Sequence, residues 1–178
     1  DPARTEIQEG DLVEIIFGGD IMETYPAQLG NVQEVWVWAE GFDDTASLYL
    51  EVFEDLAEED AALAHGATTI GLDLSQTALS PVEQSAVALL LEWDTGLTVV
   101  QGTMEELGDQ GYIDMENLYW EEGYFLSLTE TERTDTSLTF SAQLWKSGLG
   151  ALFYADCTVT RQPNGPWEEY TVGAVAIS

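Results

Sequence analysis

The sequence predicts an α+β fold: strand/helix alternation in the first part, then a four-stranded, curved antiparallel meander with helices packed on one face. Three observations predict it. Apolar residues recur at helical spacing over 46–56 and 86–93, each stretch preceded by a capping signal. Short apolar runs bounded by Gly, Asp and Asn lie around them and read as strands. After Ile113 the period changes to two: Tyr124, Leu126 and Leu128 alternate with Phe125, Ser127 and Thr129.

Taken in order, residues 1–10 are polar and read as a linker, and 11–178 as one compact domain. That domain has a mixed part over 11–113 and a meander part over 114–178, with two small domains as the alternative. Leu12 to Phe17 is a strand signal closed by Gly18-Gly19-Asp20, and 21–31, with Pro26 and Gly30, reads as irregular. Val35-Trp36-Val37-Trp38 is apolar on both faces and predicts a strand over 32–39 buried on both sides. The break at 41–44 precedes a helix to about Glu59, marked by Ala46, Tyr49, Leu50, Phe53 and Leu56, with Asp44 or Thr45 as its cap. A strand follows over 68–74.

Ser80-Pro81-Val82-Glu83 is a capping box with Pro at the first helical position; that helix runs through Ala86, Leu89, Leu90 and Trp93 and stops before Gly96. Residues 97–101 form a strand, and Thr103 to Glu106 is a second capping box opening a short helix. Strands of the meander are predicted around 124–129, 138–144, 152–161 and 168–177, with turns at 133–136 and at Gln162-Pro163-Asn164-Gly165, where Pro sets φ and Gly permits a positive φ. The glycines of Lys146-Ser147-Gly148-Leu149-Gly150-Ala151 predict a bulge or sharp bend.

Charge excludes whole classes of function. The chain carries 34 acidic residues against Arg4, Arg133, Lys146 and Arg161, a net charge of −30. Four scattered cations cannot displace the counterions of a nucleic acid, and an anionic membrane repels the chain for the same reason. Partners are expected to be neutral, cationic or metal-bridged: an unidentified protein or small molecule. The acidity by itself only keeps the protein soluble. Because most carboxylates lack a cation to pair with, the melting temperature is expected to rise from low to moderate salt as screening relieves self-repulsion. A thermal scan that gives one value at both salt concentrations would refute this.

Catalytic machinery is scarce. The only histidine, His65, follows a helix and reads as a surface residue, so no His-x-x-x-His zinc motif exists. No Gly-x-Ser-x-Gly elbow, Ser-x-x-Lys motif, phosphate loop or dinucleotide fingerprint is present, and no cofactor is implied. The single cysteine, Cys157, lies in an apolar run and reads as a buried, inert thiol. Asp109, Asp114, Glu116 and Asn117 share a loop without EF-hand order and read as solvated. Asp73 and Asp156 are the carboxylates inside apolar runs; Asp156 is the candidate to point into a cleft of the curved sheet, against the reading of an exposed strand residue. Trp120 and Trp145 stand beside turn or glycine signals and are candidates to line a pocket. No run reaches the roughly 18 apolar residues of a membrane span, and no signal-peptide pattern is present. The chain opens Asp1-Pro2-Ala3-Arg4 without Met, and a leader, anchor or upstream domain is expected ahead of it.

Several runs carry a resemblance: Gly102-Thr103-Met104-Glu105-Glu106-Leu107, Gly111-Tyr112-Ile113-Asp114, Glu116-Asn117-Leu118-Tyr119, Trp145-Lys146-Ser147-Gly148-Leu149-Gly150-Ala151 and Tyr170-Thr171-Val172-Gly173-Ala174. The chain resembles uncharacterised extracytoplasmic domains of gut Firmicutes, some of which follow a membrane metallopeptidase of the β-lactam-sensor type. The likeness covers most of residues 11–178 and is strongest after residue 97. It implies an exported location, secreted, lipid-anchored or as the sensor part of a larger membrane protein, with a ligand that need not be a β-lactam. It supplies no catalytic residue to carry over.

Together these readings point to a non-catalytic binding or sensing domain outside the cytoplasm. Its candidate site is Trp145, Lys146, Ser147 and Gly148, with Trp120 and Asp156 nearby; Lys146 either holds an anionic group or serves the bend. Carboxylate acid/base catalysis in a sheet cleft and a structural assembly module are the alternatives.

Overall fold

A computed structural model of the chain describes residues 7–8, 10–24, 27–38 and 43–178. Residues 1–6 and 9 of the expected linker, Pro26, Ala39 and Gly41 of the expected break lie outside the described residues. Strand β1 (Leu12–Phe17) runs antiparallel to β4 (Val32–Trp38), with Leu12 opposite Trp38 and Phe17 opposite Val32. Between them β2 (Ile21–Met22) and β3 (Gln28–Leu29) form a small hairpin where irregular chain was expected.

The expected burial of 32–39 on both sides does not hold. β4 belongs to a two-stranded sheet, and Val32, Val35 and Trp36 are exposed, whereas Val37 is buried. Apolar side chains on both faces of a strand need a layer above and a layer below to be buried, and sequence pattern cannot supply either layer.

The helices are α1 (Thr45–Glu59), α2 (Ala61–Ala64), α3 (Pro81–Thr95) and α4 (Met104–Asp109). The later strands are β5 (Thr69–Gln76), β6 (Thr98–Gln101), β7 (Gly123–Arg133), β8 (Ser137–Ser147), β9 (Gly150–Thr160) and β10 (Ala174–Ile177). The α+β fold stands, and the meander β7–β10 is present. It is not a separate sheet: β5 pairs parallel to β7 and β6 parallel to β5, giving one six-stranded sheet in the order β10-β9-β8-β7-β5-β6. A parallel neighbour needs a crossover, and α3 provides it between β5 and β6.

Period-two alternation sorts the sheet's side chains into two layers. Tyr124, Leu126, Phe140, Leu144 and Leu152 pack against Tyr49, Phe53 and Leu56 of α1 and Val87 and Leu91 of α3. Phe125, Trp145 and Ala151, from the intervening positions, pack with Leu107 of α4, Ile113 and Trp120. One face therefore carries α1, α2 and α3, and α4 covers the other. Glycine permits that second layer: a methyl group added at Gly71 would sit 2.7 Å from both Leu107 Cδ1 and Trp120 Cζ3.

Both capping boxes form. Ser80 N–H donates to Glu83 Oε2 at 2.6 Å, and Thr103 N–H to Glu106 Oε2 at 2.8 Å, each with the return bond in place. α3 ends where Gly96 adopts φ 70°. Its buried face is Val87, Ala88 and Leu91, while Ala86 and Trp93 are exposed. At α1 the N-cap position is Asp44, yet its carboxylate accepts from Trp167 N–H at 3.1 Å, and Asp43 takes the Thr45 N–H.

Strand β9 contains a bulge. Phe140 pairs with Cys157 but Ala142 with Tyr154, and Asp156 sits in the extra residue with φ 52°. The extra residue flips the phase, so that Leu152 and Tyr154 before it and Cys157 and Val159 after it all face the larger core. Opposite the bulge the backbone of Gly173 meets Asp156, and regular pairing of the last strand is confined to 174–177 instead of 168–177. In the 162–165 turn the positive φ belongs to Asn164, at 59°, and not to Gly165.

Candidate functional site

The candidate site residues line neither of the two cavities described below. Trp120 and Trp145 are buried in the core beneath α4, which corrects their expected role as pocket walls. Trp120 packs closely on the Gly123 backbone; a methyl group added at Gly123 would be 2.3 Å from its Cε2. Lys146 Nζ donates to the carbonyls of Gly123 at 3.0 Å and Glu121 at 3.4 Å, and burial lowers its pKa. It thus ties the loop before β7 to β8, the structural of its two readings. A register shift at Lys146 precedes a two-residue turn of Gly148 and Leu149; Gly148 N–H donates to Leu118 carbonyl at 2.8 Å and Ser147 Oγ accepts from Leu149 N–H. Asp156 is exposed at its bulge and lines neither the groove nor the cavity described below. Burial, then the Asp156 charge, pushes the Cys157 thiol up to about 11, so it stays a thiol at neutral pH. His65 is exposed at the C-terminal end of α2.

Asp114 is committed to its own loop: Oδ1 accepts from Glu116 and Asn117 N–H, and Oδ2 from Asn117 Nδ2 at 2.7 Å. These bonds, the Asn117 side chain foremost, hold its pKa below the ordinary value.

A concave surface does form elsewhere, between α1 and the segment joining β9 to β10. This groove of about 540 Å³ is lined by Glu51, Asp55, Glu58 and Glu59 of α1, Tyr154 of β9, and Glu169, Tyr170 and Val172. The α1 carboxylates recur at i, i+4, i+7 and i+8 and so share one helical face. Tyr154 Oη donates to Glu59 Oε2 at 2.5 Å and Tyr170 Oη to Asp55 Oδ2 at 2.5 Å. Burial first, then the bonded carboxylate, raises both phenol pKa values, so the hydroxyls remain donors at any physiological pH.

Nothing cationic among the described residues answers this charge. Arg133 pairs with Asp43 at 3.4 Å and Glu130 at 3.2 Å. Arg161 pairs with Asp43 at 3.5 Å, donates to the Asp135 carbonyl, and stacks 4.2 Å over the Trp167 ring. Among the described residues no three His, Cys, Asp or Glu side chains converge closely enough to hold a metal ion. No helix among them is long and apolar enough to cross a membrane.

The helical spacing of Glu51, Asp55, Glu58 and Glu59 was open to sequence reasoning, which missed it because acidic residues occur nearly everywhere in this chain. Tyr154 and Tyr170 gave no signal, since only the sheet order brings them beside α1. Comparison with known proteins finds no match: no protein family, no curated protein and no solved structure resembles the chain closely enough to assign it.

Proposed function

We propose that the protein is a non-catalytic binding domain working outside the cytoplasm, and that its acidic groove takes an organic polycation. One observation carries the reading: five carboxylates and two tyrosines surround a groove of about 540 Å³ that receives no cation from the described chain. The carboxylates are spread along a helix face and not gathered around a point, which suits several ammonium groups on a flexible chain better than a bare metal ion. The tyrosine rings add faces on which an ammonium can rest. The extracytoplasmic location rests on the resemblance of the C-terminal runs.

Spermidine is the probe. Calorimetric titration at low salt is expected to show binding that weakens as ionic strength rises. Glu51→Gln, Asp55→Asn and Glu58→Gln together are expected to weaken it by about tenfold or more. Glu105→Gln, Asp109→Asn and Glu116→Gln, which remove the same charge from exposed positions outside the groove, are expected to change it by less than about threefold. Equal losses in the two triple variants would mean diffuse attraction to a −30 chain and would sink the reading.

A further inference from the structure

A second cavity lies on the other flank of α1, where it meets α3 above β7. It has a volume of about 210 Å³ and its walls are apolar, built from Phe53 and Ala57 of α1, Leu91 of α3 and Leu126 of β7. Glu54 and Asp94 stand on it from the two helices, and Glu58 lines both this cavity and the groove.

Tyr124 sets this cavity apart from an ordinary crevice between helices. The residue is 3% exposed, yet its hydroxyl has no hydrogen-bond partner among the described residues, unlike Tyr49, Tyr154 and Tyr170, which each donate to a carboxylate. A buried tyrosine hydroxyl ordinarily finds a partner, because leaving it unpaired costs about 1–3 kcal/mol. No fully enclosed polar side-chain atom among the described residues lacks a bond, so the Tyr124 oxygen is not sealed in the core. Tyr124 is one of the residues that line the cavity.

We propose that this cavity is a binding site for a small apolar amine, a hydrocarbon body about one ring in size bearing one protonated amino group. An apolar cavity of about 150 Å³ holds a benzene molecule, so 210 Å³ accommodates a ring with a short side chain. The ring lies against Phe53, Leu91 and Leu126. The ammonium sits between Glu54 and Asp94 and donates to the Tyr124 oxygen, which no described residue bonds. Burial first and the Asp94 charge second hold the Glu54 carboxyl above its ordinary pKa, a strain that a cation placed between them relieves. The site shares Glu58 with the groove but opens on the other flank of α1, and the proposal does not depend on what the groove binds.

Phenethylammonium tests it, titrated into the full chain with amide shifts and calorimetry as readouts. Shifts are expected at Phe53, Leu91 and Tyr124, with 2-phenylethanol, which has the same body without the charge, binding at least about tenfold more weakly. Tyr124→Phe, which keeps the ring and the fold, is expected to weaken phenethylammonium about tenfold, as is Asp94→Asn. Spermidine, a charge without a body, is expected to leave these amides unmoved whether or not it binds the groove. The proposal is overturned if phenethylammonium leaves the three amides in place, if 2-phenylethanol binds as well, or if Tyr124→Phe binds like the parent chain.

Discussion

Raising the pH from about 8 to about 11 is expected to remove on the order of 5 kcal/mol of folding stability, enough to unfold a domain of ordinary stability. Four acids with almost no exposure are responsible: Tyr49, Tyr124, Tyr154 and Cys157. Burial alone pushes Tyr124 up to about 12, and burial with the neighbouring Asp156 charge pushes Cys157 to about 11. Tyr49 and Tyr154 are raised first by burial and then by donating to Glu130 and Glu59, whose negative charge opposes a phenolate. All four have folded pKa values above their unfolded ones. The stability they contribute is therefore whole below the unfolded values, near 9.0 for the thiol and 10.0 for the phenols, and is lost as the pH climbs toward the folded values. In that window the unfolded chain binds fewer protons than the folded one, which makes the slope negative, about 1.4 kcal/mol per pH unit for each group. Urea midpoints followed by tryptophan fluorescence at constant, moderate salt check this. A midpoint that holds steady across the range would show these groups to ionise freely in the folded state.

Trp167→Ala is expected to cost about 3–5 kcal/mol and to loosen the start of α1. Trp167 is buried where the loop after β9 crosses that helix end. Its Nε1 donates to Thr45 Oγ1 at 2.9 Å, its backbone N–H to Asp44, and the Arg161 guanidinium covers its ring at 4.2 Å. The Thr45 hydroxyl, itself buried, donates to Asp43 and also accepts from Arg133 at 3.1 Å, so its hydrogen-bonding capacity is filled. Two of the chain's four cations are spent at this knot, which substitutes for the capping bond that Asp44 does not make to its own helix. Trp167→Phe keeps an aromatic side chain but is smaller and loses the indole donor, and is expected to cost less, about 1–2 kcal/mol. Denaturant unfolding separates the two variants, and amide exchange in the first turn of α1 should quicken in the alanine variant. A loss below about 1 kcal/mol for Trp167→Ala would mean that the knot merely decorates the surface.

The groove sits immediately beyond this knot, and the cost of its charge is visible in the helix that builds it. Glu51, Glu54, Asp55 and Glu58 repel one another at helical spacing, each like pair opposing the helix by a few tenths of a kcal/mol. α1 forms regardless because Tyr49, Val52, Phe53 and Leu56 on its other face are almost wholly buried against the sheet.

By itself the sequence determined what is local. The two capping boxes, the stop at Gly96 and the alternating strands of the meander depend on neighbours within a few residues, and each is in place. It also determined the inert thiol of Cys157 and the surface position of His65, because an apolar run and a helix end carry that information in their own residues. Tertiary structure alone decided which faces are covered. Trp120 and Trp145 went into a second core because α4 lies on the far side of the sheet, and Trp36 stayed exposed because no described residue buries its face of the strand. It also decided the site: Tyr154 and Tyr170 meet the α1 carboxylates only through the order β10-β9-β8-β7-β5-β6. That order joins residues about a hundred positions apart, a separation that neither periodicity nor capping can encode.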